Sequence, residues 1–243
     1  MTTEQGKQLW REAFGDPDSF IEAFFRSGFS PLRCRALEEK GQLAAALYWF
    51  DCRWGDKKLA YIYGVATAKA FRGKGLCRKL MADAHRHLHG SGYAGAVLVP
   101  ADDGLFQMYE KMGYRGFSPM EKREMKAAGR TEISQIDAAR YADLRRQRLP
   151  EGGILQEGDT LSFLESYARF YTAGDAAFCA AREDDTLYIQ EFFGDPEKIP
   201  AIAATLGAAK ATVRLPGGKK DFAMYKSFTE DDAMPGYFGI ALD

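Results

Sequence analysis

The stretch from Leu59 to His89 constrains the fold most. Leu59–Thr67 is almost continuously apolar, the pattern of a strand buried on both faces. It runs into the glycine-bearing loop Phe71–Gly75, and a helix begins at once. The helix carries an apolar stripe of Leu76, Leu80, Ala84 and Leu88, and Gly90-Ser91-Gly92 stops it. The loop amides and the first-turn N–H groups of such a helix have no intrachain partners, and the helix dipole adds positive potential there. Glycines let a ligand come close to the backbone, and Arg72 and Lys74 add charge. The segment therefore reads as a site for a pyrophosphate. A basic strand-to-helix turn with glycines only for tight geometry is the plainer alternative.

Around this unit the chain alternates. Helices are expected over Gln8–Phe14 and after Asp16-Pro17-Asp18-Ser19, which offers capping residues. Strands are expected over Leu32–Leu37 and Leu43–Trp54. After the central helix come a strand at Ala94–Val99, a short helix at Leu105–Met112, and a final pair of strands in Tyr114–Lys126. From Thr131 the order begins again. Helices are expected at Asp137–Leu149 and Thr160–Tyr171, then a hairpin of Ala176–Glu183 and Thr186–Phe193 around Asp184-Asp185. A helix at Glu197–Leu206 and strands at Ala211–Leu215, Phe222–Phe228 and Tyr237–Leu242 close the chain. The pattern is α/β (α+β) with a mixed sheet, and its second half reads as a degenerate duplication of the first. The expected division is 1–128 and 129–243.

Two familiar phosphate loops are absent. Gly75 is followed by Leu76, so there is no G-x-x-x-x-G-K-[ST], and no G-x-G-x-x-G is present. The residues instead resemble the GCN5-related N-acetyltransferases (GNAT). That family has a strand ending in V-x-T or similar, then R/Q-x-x-G-x-G/A opening a helix. Here Val65-Ala66-Thr67 precedes Arg72-Gly73-Lys74-Gly75-Leu76-Cys77. A later helix of the family reads roughly L-Y-E-K-x-G-Y/F, matched by Met108-Tyr109-Glu110-Lys111-Met112-Gly113-Tyr114. The clear match covers Leu59 to Phe117. Three features depart from the pattern: Cys77 stands where Gly or Ala is usual, Asp102 where Asn is frequent, and the chain starts almost directly at its opening helix.

The resemblance implies a GNAT-like acyltransferase fold followed by a second GNAT-like half, with acetyl-CoA as co-substrate and no metal. Backbone groups of Val65 and Thr67 would pair with the pantetheine arm, with Gly64 marking the bulge that opens the sheet. Amides of Arg72, Gly73, Lys74, Gly75, Leu76 and Cys77 would hold the pyrophosphate. The Val65 N–H would face the developing oxyanion, and Tyr109 would protonate the leaving thiolate. Tyr109 also suits a packed helix face with Leu105, Met108 and Met112. The base stays open among Glu38, Glu39, Asp51 and a water relay. By analogy with tandem relatives of the enhanced-intracellular-survival group, Glu191 or the Asp243 carboxylate also enters. The second half has Gly194-Asp195-Pro196-Glu197-Lys198 in place of the basic loop, whose acidic residues would repel phosphate. It is expected to bind no coenzyme.

The expected activity is transfer of an acetyl group to a primary amine of a small molecule or peptide by direct attack. A non-catalytic coenzyme-A-binding regulatory module is the alternative. A net charge of -1 over 243 residues argues against a nucleic-acid partner. No apolar run approaches the ~20 residues that span a bilayer, so no membrane partner is expected. Four cysteines with no C-x-x-C pair, and a polar N-terminus, point to a cytoplasmic protein. A homodimer is compatible with the sequence. His85 and His89 have an i, i+4 spacing but no third ligand, so they read as a helix face. The aromatic run Phe20–Phe29 reads as core.

Overall fold

A computed structural model supplies the fold and describes residues 1–242. The first half runs α1 (Thr3–Phe14), α2 (Asp18–Ala23), β1 (Cys34–Glu39), β2 (Gln42–Trp54), β3 (Lys57–Thr67), α3 (Leu76–Gly90), β4 (Gly95–Leu98), α4 (Asp103–Glu110) and β5 (Arg115–Lys126). The second runs β6 (Ser134–Ile136), α5 (Ala138–Arg148), β7 (Leu155–Gln156), α6 (Asp159–Leu164), β8 (Arg169–Ala173), β9 (Ala176–Glu183), β10 (Thr186–Phe193), α7 (Ile199–Thr205) and β11 (Lys210–Ser227). One mixed sheet takes in all 11 strands, in the order β1-β2-β3-β4-β11-β10-β9-β8-β6, with β5 on β11 and β7 on β2. The expected α/β architecture is what forms.

Local chemistry moves several boundaries. Helix α1 starts at Thr3, earlier than expected, because Thr2 and Gln5 form a reciprocal capping box. The predicted helix Thr160–Tyr171 ends at Leu164, and Arg169–Ala173 is strand β8. The Arg169 guanidinium donates to the Glu165 carbonyl at 2.6 Å and the Ala168 carbonyl at 2.7 Å, satisfying the end of that turn. The apolar stripe read there as helical belongs to two elements.

The larger differences concern how the halves join. The expected pair of strands in Tyr114–Lys126 is the single strand β5. The expected strands Ala211–Leu215 and Phe222–Phe228 are the two ends of β11, whose register shifts between Pro216 and Asp221. The first part of β11 pairs in parallel with β10, while its last residues, Met224–Ser227, pair with β4 of the first half. Strand β5 runs antiparallel to β11 on both sides of the shift. The first half's sheet is thus completed by a segment from the second.

Tyr237–Leu242 is not a strand. Its one bridge is between Tyr237 and Gly153, and it crosses the centre of the molecule as a buried strap. Hydrogen bonds replace sheet pairing along it. Phe238 N–H donates to Ser118 Oγ at 3.0 Å, and the Gln156 side chain holds both Ile240 N–H (3.3 Å) and Ile240 C=O (2.7 Å). Leu242 N–H donates to Tyr61 Oη at 3.3 Å, and Tyr63 Oη donates to the Leu242 carbonyl at 2.6 Å. The central apolar core joins both halves, with Trp10, Phe24, Tyr48 and Phe50 in one cluster with Phe163, Phe170 and Phe238. Phe24, from the run read as core, is fully buried.

Candidate active site

Strands β3 and β4 pair in parallel only from Leu59–Tyr61 to Gly95–Val97. β3 then continues to Thr67 while β4 ends at Leu98, so the sheet opens between them. A register break on β3 accompanies the opening: Tyr63 faces Tyr48 and Ala66 faces Ala46, which leaves Gly64 and Val65 against Leu47 alone. This is a β-bulge, which bends a strand and re-aims its groups. Gly64 has φ +59°, and a Cβ there would sit 2.9 Å from the buried Trp10 ring, so both conformation and space require glycine.

A cleft of about 810 Å³ occupies the opening. Val65 and Tyr109 line it, with Tyr63, Leu98, Asp16 and Leu242. Tyr109 is 6% exposed and packs in the same cluster as Leu98 and Tyr114. Both readings of this tyrosine therefore hold, core packing and a place on the cleft. Burial, with the nearby Cys77 thiol, raises its hydroxyl above the ordinary tyrosine range and keeps it protonated. Asp102 serves as N-cap of α4, accepting from Leu105 N–H at 2.8 Å, which accounts for an acidic residue at that place.

Beyond β3 the chain makes a 3-10 turn at Lys69–Phe71 and enters α3 through Gly73 (φ +75°) and Gly75 (φ +73°). No side chain caps α3. Cβ atoms placed at Gly73 and Gly75 would meet nothing within 4 Å. The two basic side chains turn back on the loop: Arg72 Nε donates to the Thr67 carbonyl and Lys74 Nζ to the Ala70 carbonyl, each at 3.0 Å. They brace the turn and leave its amide face open. Leu76 packs inward, and Cys77 is half-buried against the α3 core, its thiol pushed up by burial.

The corresponding place in the second half is built differently. Asp195 accepts from Glu197 N–H at 3.0 Å, and Pro196 brings no N–H at all. Asp195 thus caps that helix start with its own side chain.

A second cleft, of about 700 Å³, adjoins the first. Asp16, Tyr63, Lys122, Arg214 and Leu242 line both. The carboxylates considered from sequence lie elsewhere. Glu38 is exposed and faces the N-terminal amine at 3.8 Å. Asp51 accepts from Tyr93 Oη at 2.5 Å and lines a separate pocket with Arg33 and Lys58. Neither these two nor Glu39 lines the cleft. Glu191 is 1% exposed and paired with Arg145 at 2.7 Å, and it also accepts from Tyr141 and Tyr237. It is a structural anion and lines neither cleft. Asp243 lies outside the described residues. Asp16, read from sequence as a helix cap, accepts instead from Trp10 Nε1 at 2.7 Å and sits where the clefts meet. Only the tertiary arrangement brings it, and Leu242 from the far end of the chain, to β3.

His85 bonds Tyr114 Oη at 2.8 Å, and burial lowers its imidazole to about 4. Among the described residues no group of three or more His, Cys, Asp or Glu side chains could hold a metal ion, and no helix is long and apolar enough to cross a membrane.

Residues 2–117 match the sequence family described as an acetyltransferase (GNAT) domain. No curated protein sequence matches the chain. Among solved structures, a GCN5-related N-acetyltransferase from Anabaena variabilis superposes with TM-score 0.73 at 16% identity, over 92% of this chain and 70% of its own. One from Kribbella flavida gives 0.70 at 17%, over 93% and 69%. A tandem GNAT protein from the clavulanic acid biosynthesis pathway gives 0.58 at 10%, over 95% and 96%. At these identities the likeness is one of fold. Residues 2–117 thus match a GNAT acetyltransferase domain, and the fold of GNAT proteins extends over nearly the whole length of the chain.

Proposed function

We propose that the chain transfers an acetyl group from acetyl-CoA to a primary amine, with residues 1–128 as the acetyl-CoA-binding GNAT domain and 129–243 as a degenerate GNAT-like half. The observation that carries this is the continuity of the opened β3–β4 edge with the uncapped, glycine-lined start of α3. An opened sheet edge fits an extended pantetheine arm, and open helix N-terminal amides fit a pyrophosphate. Bound acetyl-CoA supplies an activated thioester.

The protein's part is positioning and proton movement. Val65 and Thr67 hold the arm through their backbone. Amides of Arg72 through Cys77 hold the diphosphate, and the Val65 N–H faces the thioester oxygen. The amine nitrogen bonds to the acetyl carbon, the carbon–sulfur bond breaks, and the thiolate takes a proton from Tyr109. The amine proton leaves to Asp16, directly or through water; Asp16 is the carboxylate at the meeting of the clefts. Cys77 is half-buried with a raised thiol, which favours direct attack over an acyl-cysteine route. Four free cysteines suit a cytoplasmic setting.

A thiol-release assay with acetyl-CoA against a panel of amines tests the activity, with calorimetry for binding. We expect saturable binding of acetyl-CoA, loss of that binding in Arg72→Glu, and thiol release with at least one amine class. A folded protein that gives no heat with acetyl-CoA contradicts the reading.

A further inference from the structure

One amine of the chain itself stands at the opened sheet edge. Strand alternation on β5 places Met120 and Lys122 on the cleft face and leaves Glu121 and Arg123, which pair with each other, on the opposite one. Lys122 lines both clefts, as Asp16 does, and the larger cleft also holds Val65 and Tyr109. The residue opposite Lys122 in the register is Arg214, a cation and not a carboxylate, whose guanidinium lies over the Phe222 ring at 4.9 Å. Among the described residues Lys122 forms no ion pair and no side-chain hydrogen bond.

The other nucleophiles are committed or absent. Lys220 also lines the larger cleft but is paired with Asp103 at 2.5 Å. None of the four cysteines lines either cleft. Tyr63 Oη donates to the Leu242 carbonyl at 2.6 Å and is held there. Lys122 is exposed, and a lysine amine rides on a flexible four-carbon stem. Tethered beside a bound thioester, such an amine meets it at an effective concentration on the order of millimolar. No second molecule has to be recruited and ordered.

We infer that Lys122 is a self-acetylation site: with acetyl-CoA bound and no free amine present, the chain acetylates its own Lys122 side chain. This rests on the proposed acetyl transfer and adds a modification site to it. The Lys122 ammonium gives one proton to Asp16 or water, and its nitrogen bonds to the acetyl carbon. The carbon–sulfur bond breaks as the thiolate takes the Tyr109 proton. The second nitrogen proton restores Tyr109 through water. The products are an amide at Lys122, free coenzyme A and one released proton. Acetylation removes the lysine charge, so the place where the clefts meet is left with one cation fewer.

The test is mass spectrometry of the full chain incubated with acetyl-CoA and no added amine, followed by peptide mapping. We expect one acetyl group per chain, mapped to Lys122. Lys126, on the same face of β5, and Lys40, in the turn between β1 and β2, are exposed but line neither cleft. Each should be modified at least about tenfold more slowly, which separates proximity from general chemical acetylation. The rate per chain should not change with protein concentration. Lys122→Arg, which keeps the charge, should bind acetyl-CoA as wild type does and lose the adduct. Tyr109→Phe should bind the coenzyme and slow the modification by about 10²-fold. Equal labelling of Lys122, Lys126 and Lys40 overturns the inference. So does a rate that rises with protein concentration, or one that Tyr109→Phe leaves unchanged. An unmodified Lys122 in a protein that binds acetyl-CoA and releases thiol with an added amine also overturns it, and leaves the transfer reading intact. Absent acetyl-CoA binding overturns both.

Discussion

Gly64 shows how one residue sets the site. Its positive φ makes the bulge, and the missing Cβ lets the Trp10 ring close over β3. Gly64→Ala meets a strained backbone and a ring atom at 2.9 Å; we expect a loss of about 1–3 kcal/mol, measured by chemical denaturation, with weaker acetyl-CoA binding. Unchanged stability and affinity would show the bulge to be incidental. Tyr109 carries a different prediction. Tyr109→Phe should lower kcat by about 10²-fold and leave acetyl-CoA affinity as it is. Because burial raises the Tyr109 hydroxyl, its acid form persists through neutral pH. Wild-type kcat should therefore not fall with rising pH until above the ordinary tyrosine value of about 10. A fall centred well below that would assign the acid elsewhere. The strand-to-helix turn at Arg72–Cys77 was legible in sequence from short spacing and its glycines. The family resemblance singled out Gly64, Val65 and Tyr109, and the cleft at the opened β3–β4 edge brings all three together. Asp16 and Lys122 were not legible: one reads as a cap and the other as a strand residue until folding sets them on a cleft.

At the scale of elements, the strap of Tyr237–Leu242 connects the second half's interior to the site. Its anchors are polar and buried: Glu191 holds Tyr237 Oη at 3.3 Å, Gln156 holds Ile240, and Arg145 Nη1 reaches the Gln156 carbonyl at 2.5 Å. Breaking a buried ion pair from one side leaves the other charge uncompensated. Glu191→Ala should cost about 3–5 kcal/mol and raise KM for the amine, since Leu242 at the strap's end lines both clefts. Thermal unfolding and steady-state kinetics read the two effects, and a normal melting temperature would contradict the anchoring role. The strap's apolar pattern resembles a strand, and sequence periodicity alone made it one. What distinguishes it is a set of side-chain hydrogen bonds to residues more than eighty positions away or on other elements, such as Gln156 to Ile240. The same blindness affected β11, whose two ends look like separate strands because Pro216-Gly217-Gly218 reads as a turn.

At the scale of the molecule, the two halves share one sheet. The end of β11 lies between β4 and β5, so residues 1–128 alone would lack the strand that pairs with Gly95–Leu98. We expect that fragment to be insoluble or molten by near-ultraviolet circular dichroism, and to recover acetyl-CoA binding only when co-expressed with 129–243. A folded, binding-competent fragment would refute this interdependence. The alternation of helices and strands was visible in sequence, but the crossing of strands was not, because pairing between distant segments leaves no local pattern. The claim on which the functional account turns is that the amides from Arg72 to Cys77 hold the coenzyme's diphosphate. Hydrogen–deuterium exchange of the full chain with and without acetyl-CoA tests it directly. The account predicts slowed exchange over Gly73–Cys77 and along β3 near Val65, and none at Gly194–Lys198. Saturating acetyl-CoA that leaves the Gly73–Cys77 amides exchanging at their free rate would contradict it.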